Sequence, residues 1–283
     1  MVKLIGVVIL YHPDIHILFD QIHSYLPQLD KLLLYDNSET RSTELTQLIE
    51  KQGSEKLEYH FFGQNEGIAK RLNMAAEYGI AQGYRFLLTM DQDSAFEPGD
   101  FERFVEKVRN NALDRVAQFG VNCQPEFTPI DRIPQKVNDL ITSGSMLDLQ
   151  LFPKVGVFDE KLFIDFVDTE FSFRVVGKGY YNLLFSDIVL KHRIGYLKMG
   201  RSFKDFKKTP RILHAPIRVY YIVRNGLYLL NHSPFVKGET KKHLLTSMKM
   251  IKNDLLYSDH LGAIYFHVCM AIFDFSIKKM GKK

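Results

Sequence analysis

Two aspartates, Asp91 and Asp93, stand one residue apart in LLTMDQDS (87–94), where an apolar run ends. Side chains alternate along an extended chain, so both carboxylates point the same way. Two such groups repel unless a cation lies between them. A hard divalent ion bridging a diphosphate would satisfy both, because oxygen ligands suit Mg2+ or Mn2+. A solvated turn can use the same common tripeptide. Position favours the metal reading: Tyr11 and Asp36, like Asp91, fall at the ends of buried runs.

Those runs are the elements that must position the acids. KLIGVVILY (3–11), DKLLLYDNS (30–38), LEYHFF (57–62) and YRFLLTM (84–90) read as strands. Helical spacing covers 15–26, 42–52 with Ser42 or Thr43 as cap, and 65–83, stopped by Gly83. Strands alternating with helices predict an α/β fold, a parallel sheet with helices on both faces. Ligands of such sheets bind beyond the carboxyl ends of the strands. Further on, a helix is expected at 100–110, strands at 115–121 and 141–149, a loop at 124–136, a short helix at 168–176 and a strand-like stretch at 180–195. From 196 the pattern reads as helical.

The 283 residues suffice for one large domain or a domain with an appendage. Hydrophobic content of 46% and charged content of 25% are ordinary for a globular chain. The apolar start is too short for a signal sequence and reads as a buried strand. Cys123 and Cys269 lack metal-type spacing and read as reduced thiols. The net charge of +4 conceals an asymmetry. Residues 1–190 hold 18 Lys and Arg against 28 Asp and Glu, whereas 191–283 hold 19 against 5. A basic segment of this kind seeks nucleic acid, membrane lipid or a phosphorylated substrate.

VVILYH, YDNS, NEGIAKRLN, LLTMDQDS, SGSMLDLQLFPKVGVFDEKLFIDFVDTEFSFR and LKHRIG occur in the order seen in family 2 glycosyltransferases. The DQDS and FIDFVDTEFSFR forms most resemble bacterial rhamnosyltransferases. The resemblance covers roughly residues 3–195 and extends weakly to RVYYIVRN (218–225). It implies a GT-A (Rossmann-like) fold with a mixed, mainly parallel sheet, followed by a basic helical extension from 196 to 283. It implies that Tyr11 packs near a nucleotide base and that Asp36 bonds the base or ribose. Asn65 and Gly67 line the nucleotide pocket, and Gln92 joins the donor-binding set. Asp91 faces ribose or metal, Asp93 ligates the metal, and Asp168 is the general base. Many relatives have Glu-Asp at that pair; here it is Val167-Asp168. His192 matches a histidine near a metal or phosphate contact, although a lone histidine after a strand is as often structural.

Four further groups have two readings each. Ser143 and Gly144 either approach the donor sugar or make a tight turn. Glu170 either orients the acceptor or sits in a first helical turn, where acids are favoured. Arg174 pairs with nearby acids or touches substrate. Arg218, Tyr221, Arg224 and Asn225 fit one helix face that would suit a pyrophosphate or sugar acceptor, or ordinary packing.

The expected chemistry is inverting, metal-dependent transfer of a sugar from a nucleoside diphosphate, with dTDP-rhamnose the favoured donor. The resemblance implies an undecaprenyl-diphosphate-linked saccharide as acceptor. LGAIYFHVCMAIFDFSI (261–277) has 17 residues, short of the ~20 a spanning helix needs. Followed by KKMGKK, it reads as a helix in the interface of an anionic membrane, on the cytoplasmic face of the cell membrane. Core packing or a homodimer contact are its other readings. UDP-hexose or UDP-N-acetylhexosamine transfer is the same-class alternative. A nucleotidyltransferase would want a basic, Gly-rich phosphate loop near the first strand, and YHPDIH is not one. A nucleic-acid-binding or lipid-binding protein leaves the strand-end acids unexplained, and no nucleic-acid partner is expected.

Overall fold

The computed structural model describes residues 3–123, 128–192, 196–201 and 207–283. Parts of the expected 124–136 loop (124–127) and of the 180–195 stretch (193–195) lie outside them. The centre is β1 (Leu4–Leu10), which carries no charge and is buried almost throughout. It pairs in parallel with β2 (Lys31–Asp36), and β2 pairs in parallel with β3 (Leu57–Phe61). On its other side lies β4 (Phe86–Asp91), also parallel. The register sets Leu10 beside Asp36 and Ile9 beside Asp91, so three strand ends and their acids finish at one rim.

Beyond β4 the sheet becomes mixed. The remaining strands are β5 (Ala95–Phe96), β6 (Val116–Asn122), β7 (Gln135–Val137), β8 (Ser145–Asp148) and β9 (Tyr181–Lys191). The order is β3-β2-β1-β4-β8-β6-β9-β5, with β7 also on β9. β8 runs antiparallel to both neighbours, and β6 and β9 are parallel. A four-residue strand does not encode its own direction. The turn before it sets that: Gly144 has φ 73°, and its N–H bonds Thr89 O at 2.9 Å.

The helices of this part are α1 (Ile15–Ile22), α2 (Thr43–Gln52), α3 (Ile68–Ala81), α4 (Asp100–Arg109), α5 (Phe152–Val155) and α6 (Val167–Gly177). Asp14 caps α1 and Ser42 caps α2. α1 ends before the expected residue 26. The following 3-10 turn, Leu26–Gln28, contains Pro27, which lacks an N–H and disfavours helix before it. Leu18, Ile22, Phe101 and Phe104 from α1 and α4 cover one sheet face. Leu72, Ala75, Ala76, Phe171 and Phe173 from α3 and α6 cover the other.

The expectation that helix begins at 196 is corrected. β10 (Tyr196–Arg201) and β11 (Lys208–Leu213) form an antiparallel pair. Gly200 and Pro210 are poor helix residues, and Pro210 is tolerated because each strand has one free edge. Four helices follow: α7 (Pro216–His232), α8 (Glu239–Met248), α9 (Ile251–Tyr257) and α10 (Leu261–Ser276). Leu229, Val236 and Leu244 join the same apolar cluster as β1 and α3, while α7 and α10 pack around Val219, Tyr220, Ile264 and Ala271. No described helix is long and apolar enough to cross a membrane.

Candidate active site

The rim where β1, β2 and β4 end is held by reciprocal bonds. Tyr11 N–H donates to Gln92 Oε1 at 2.7 Å, and Gln92 Nε2 donates to Tyr11 O at 3.1 Å. Gln92, expected among the donor contacts, thus locks the turn between the two acids to the end of β1. Tyr11 keeps an exposed ring, 44% accessible. Asp36 is buried, and both its oxygens are engaged, by Ser38 N–H at 2.8 Å and Tyr59 O–H at 2.7 Å.

Asp91 and Asp93 meet His192 from the end of β9. His192 Nδ1 lies 3.8 Å from Asp91 Oδ2 and 4.0 Å from Asp93 Oδ1. One ligand atom from each residue falls within 4.8 Å of the others. Burial raises the Asp91 carboxyl above its usual range, His192 opposes the rise, and Asp93 adds to it. Two carboxylate oxygens and an imidazole nitrogen at this spacing fit a divalent cation, which would relieve that repulsion. Ser143 accepts from Asp91 N–H at 3.2 Å and donates to Ser94 at 2.9 Å, and Ser94 Oγ lies 2.8 Å from His192 Nδ1. Ser143 therefore ties Asp91 to His192 through Ser94. The space that Gly144 leaves is filled by Val121 and Leu190, which a Cβ would meet at 2.8 and 2.9 Å. Both that packing and the φ of 73° require glycine there.

Asn65 and Gly67 sit at the entrance to α3. Asn65 Oδ1 accepts from Gly67 N–H at 3.0 Å. Gly67 has φ 86°, and a Cβ there would lie 2.5 Å from Phe163 O, so only glycine lets the two segments meet. Beside them is a cavity of about 350 Å3 lined by Gln64, Asn65, Lys70, Phe163 and Lys282, among others.

Asp168 lies in the first turn of α6, after a chain segment in an unusual conformation. Phe163, Asp165 and Phe166 all have φ near +60°, which is costly for residues with side chains. The amide of Asn225 on α7 holds this segment. It donates to the carbonyls of Leu162, Ile164 and Asp165 at 2.8, 2.7 and 3.0 Å. Burial, and next the charge of Asp139, push the Asp168 carboxyl up to about 7, against a bond from Thr169 N–H. Asp139 itself takes Thr169 Oγ1 and His243 Nε2, each at 3.0 Å.

Of the expected acceptor face, Arg218 alone is 46% exposed at its side chain. It grips Asp165 through two bonds, 2.7 and 2.6 Å, and its charge reaches Asp91 and Asp168. Tyr221 and Arg224 are buried instead. Tyr221 stacks on Phe163, with ring centroids 5.2 Å apart, and Arg224 bonds Asn225, Tyr220 and Gly281 O. Glu170 is also buried, in a two-bond pair with Arg174 at 3.0 and 2.6 Å. These three residues support the fold and present no free group to a substrate in this conformation. Sequence reading missed Ser94, Asp139, Asp165 and His243. The Asp165–Asp168 spacing at a helix start was a usable signal. Nothing in the sequence links Asp139 to His243.

Residues 13–164 match the profile of glycosyl transferase family 2. The chain is 30% identical over 251 residues to the dTDP-rhamnosyl transferase RfbF of Shigella flexneri, covering 82% of this chain and 81% of that one. Among solved structures, a mannosyltransferase from Pyrobaculum calidifontis in complex with GDP-Man and Mn2+ superposes with a TM-score of 0.59 at 12% identity. That match covers 98% of this chain and 83% of the other. Residues 1–349 of S. aureus TarS in complex with UDP-GlcNAc give 0.58 at 13% identity, over 96% and 80%. The fold is that of the GT-A glycosyltransferases. The chain belongs to glycosyl transferase family 2.

Proposed function

We propose that the protein is an inverting, divalent-metal-dependent rhamnosyltransferase, moving L-rhamnose from dTDP-rhamnose to a saccharide carried on undecaprenyl diphosphate. The observation that carries this reading is the Asp91–Asp93–His192 cluster at the strand ends, with Asp168 in the same acidic field. The relative named for dTDP-rhamnose supports the choice of donor.

Asp91, Asp93 and His192 would hold Mn2+ or Mg2+. Such an ion neutralises charge growing on a departing diphosphate. Tyr11, Asn65 and Gly67 flank the nucleoside. Asp168, with a carboxyl near neutral range, takes the proton of the attacking acceptor hydroxyl. The hydroxyl oxygen displaces the nucleoside diphosphate from the anomeric carbon in one step, which inverts that centre. No protein nucleophile is needed. Arg218 faces the acceptor side, poised for an anionic group.

The apolar side of α10, with Tyr265, Phe266, Ile272 and Phe273, and Ile277 just after it, all more than half exposed, continues into Lys278 and Lys279. That surface fits peripheral attachment to an anionic membrane, where a lipid-linked acceptor resides. The test of function is incubation of the protein and Mn2+ with dTDP-rhamnose, UDP-glucose, UDP-galactose or UDP-N-acetylglucosamine. Mass spectrometry follows release of the nucleoside diphosphate. Turnover confined to dTDP-rhamnose is expected; turnover confined to a UDP-sugar overturns the donor assignment.

A further inference from the structure

The last residues of the chain return to the cleft from far away in sequence. After α10, Lys278 takes φ 59° and turns the backbone, and Lys279 N–H closes on Asp274 O at 2.8 Å. The following segment is then pinned at successive points. Gly281 N–H donates to Lys161 O at 2.8 Å, and Arg224 Nη1 donates to Gly281 O at 2.8 Å. Lys283 N–H donates to Tyr221 O–H at 3.0 Å, and its ammonium lies 4.7 Å from the Tyr220 ring centroid. Arg224 and Tyr221, the buried residues of the expected acceptor face, are thus the anchors of this segment.

Between the pinned neighbours, Lys282 is exposed, and its side chain borders the 350 Å3 cavity beside Gln64 and Asn65. The other cation there, Lys70, is paired with Glu66. Lys282 forms no hydrogen bond or ion pair with a described residue. Its charge reaches Glu39, whose carboxyl is lowered first by a backbone bond, then by His12, and further by Lys282. Glu39 in turn meets Tyr11 O–H at 3.4 Å and His12 at 3.0 Å. Lys282 therefore stands on the β2–β3 side of the rim, while the Asp91–Asp93–His192 cluster stands on the β4–β9 side, with β1 between. Strand spacing of about 4.8 Å separates the two sides by roughly 10 Å or more, near the reach of one nucleoside diphosphate.

We infer that Lys282 is a donor-recognition residue, hydrogen-bonding the base–ribose end of the nucleoside diphosphate while its phosphates lie at the acid–histidine cluster. An ammonium offers three donors and no acceptor, which suits the carbonyl oxygens of a pyrimidine base or ribose oxygens. This rests on the proposed use of a nucleotide-sugar donor. The Lys282 side chain holds no structural partner, so its removal should leave the fold intact.

The test is titration calorimetry of the full chain with dTDP, UDP and inorganic pyrophosphate, each with Mn2+, on wild type, Lys282→Ala and Lys282→Arg. Loss of one such hydrogen bond should weaken dTDP and UDP by about tenfold in Lys282→Ala. Pyrophosphate affinity should stay unchanged, and Lys282→Arg should retain most nucleotide affinity. Melting temperature should be the same in all three. Equal dTDP and UDP affinity in wild type and Lys282→Ala overturns the inference alone. A parallel loss for pyrophosphate overturns the assignment to the base–ribose end. A wild type that binds neither nucleotide overturns the donor reading itself.

Discussion

The strand-end rim and the α7 face contrast in how charge is used. At the rim, Asp91 and Asp93 keep nearly half of their side-chain surface open, and among the described residues no Lys or Arg forms an ion pair with either. On α7, Arg224 and Asn225 are fully buried, with their polar atoms bonded within the protein. The first arrangement is destabilising unless something binds, and it marks a ligand site. The second fixes geometry: the Asn225 amide holds the segment 162–165 that leads to Asp168, in which Phe163 and Asp165 have positive φ. Arg218, about two turns earlier on the same helix, is where scaffold gives way to cleft.

Substitutions can break that contrast, and the largest effect belongs to Asp168. Asp168→Asn should lower turnover by about 10²–10⁴ while leaving dTDP affinity unchanged, as measured by nucleotide release and calorimetry. The wild-type rate should rise with pH through about 7, where this carboxyl ionises. The stability effect has the opposite sign. A carboxyl raised from its unfolded range binds its proton more tightly when folded, so its contribution is lost as pH rises toward 7. Asp168→Asn should therefore melt higher than wild type at pH 8, by about 2–4 °C if the gain is roughly 1 kcal/mol, with the gain shrinking towards pH 4. A gain that grows towards acid would contradict the raised carboxyl.

Asn225→Ala comes next. It leaves three carbonyls of the Asp168 segment without their donor and should cost about 1–3 kcal/mol in chemical denaturation. Turnover should fall while dTDP affinity holds. Unchanged turnover in the folded variant would show that the buried face does not position Asp168. The smallest folding effect is expected on α10: Ile272→Ser with Phe273→Ser alters exposed side chains and should change stability by about 0.5 kcal/mol or less per site. Flotation with anionic vesicles should nonetheless be lost; retention would remove that surface from the membrane contact.

The rim was legible in sequence because polar residues at the end of uninterrupted apolar runs have few structural excuses. Asp91 and Asp36 stand out against LLTM and KLLLY. The four parallel strands and their helices were legible by periodicity for the same reason. The α7 face was not. Helical spacing groups Arg218, Tyr221, Arg224 and Asn225 on one side but does not say whether solvent, substrate or the 162–166 segment lies opposite. Over the β10–β11 pair mixed basic and apolar residues show no clear alternation, and only Gly200 and Pro210 spoke against helix. Asp139 and His243 are 104 positions apart, and only the packing of α8 brings them together.

The most direct measurement concerns the cation. Melting of wild type and Asp93→Ala should be followed with dTDP, with and without Mn2+. Mn2+ should add several degrees to the dTDP-bound wild type, on the order of 1–3 kcal/mol by linkage, and add nothing to Asp93→Ala. Equal stabilisation of both proteins by dTDP, indifferent to Mn2+, would contradict a metal held by Asp91, Asp93 and His192.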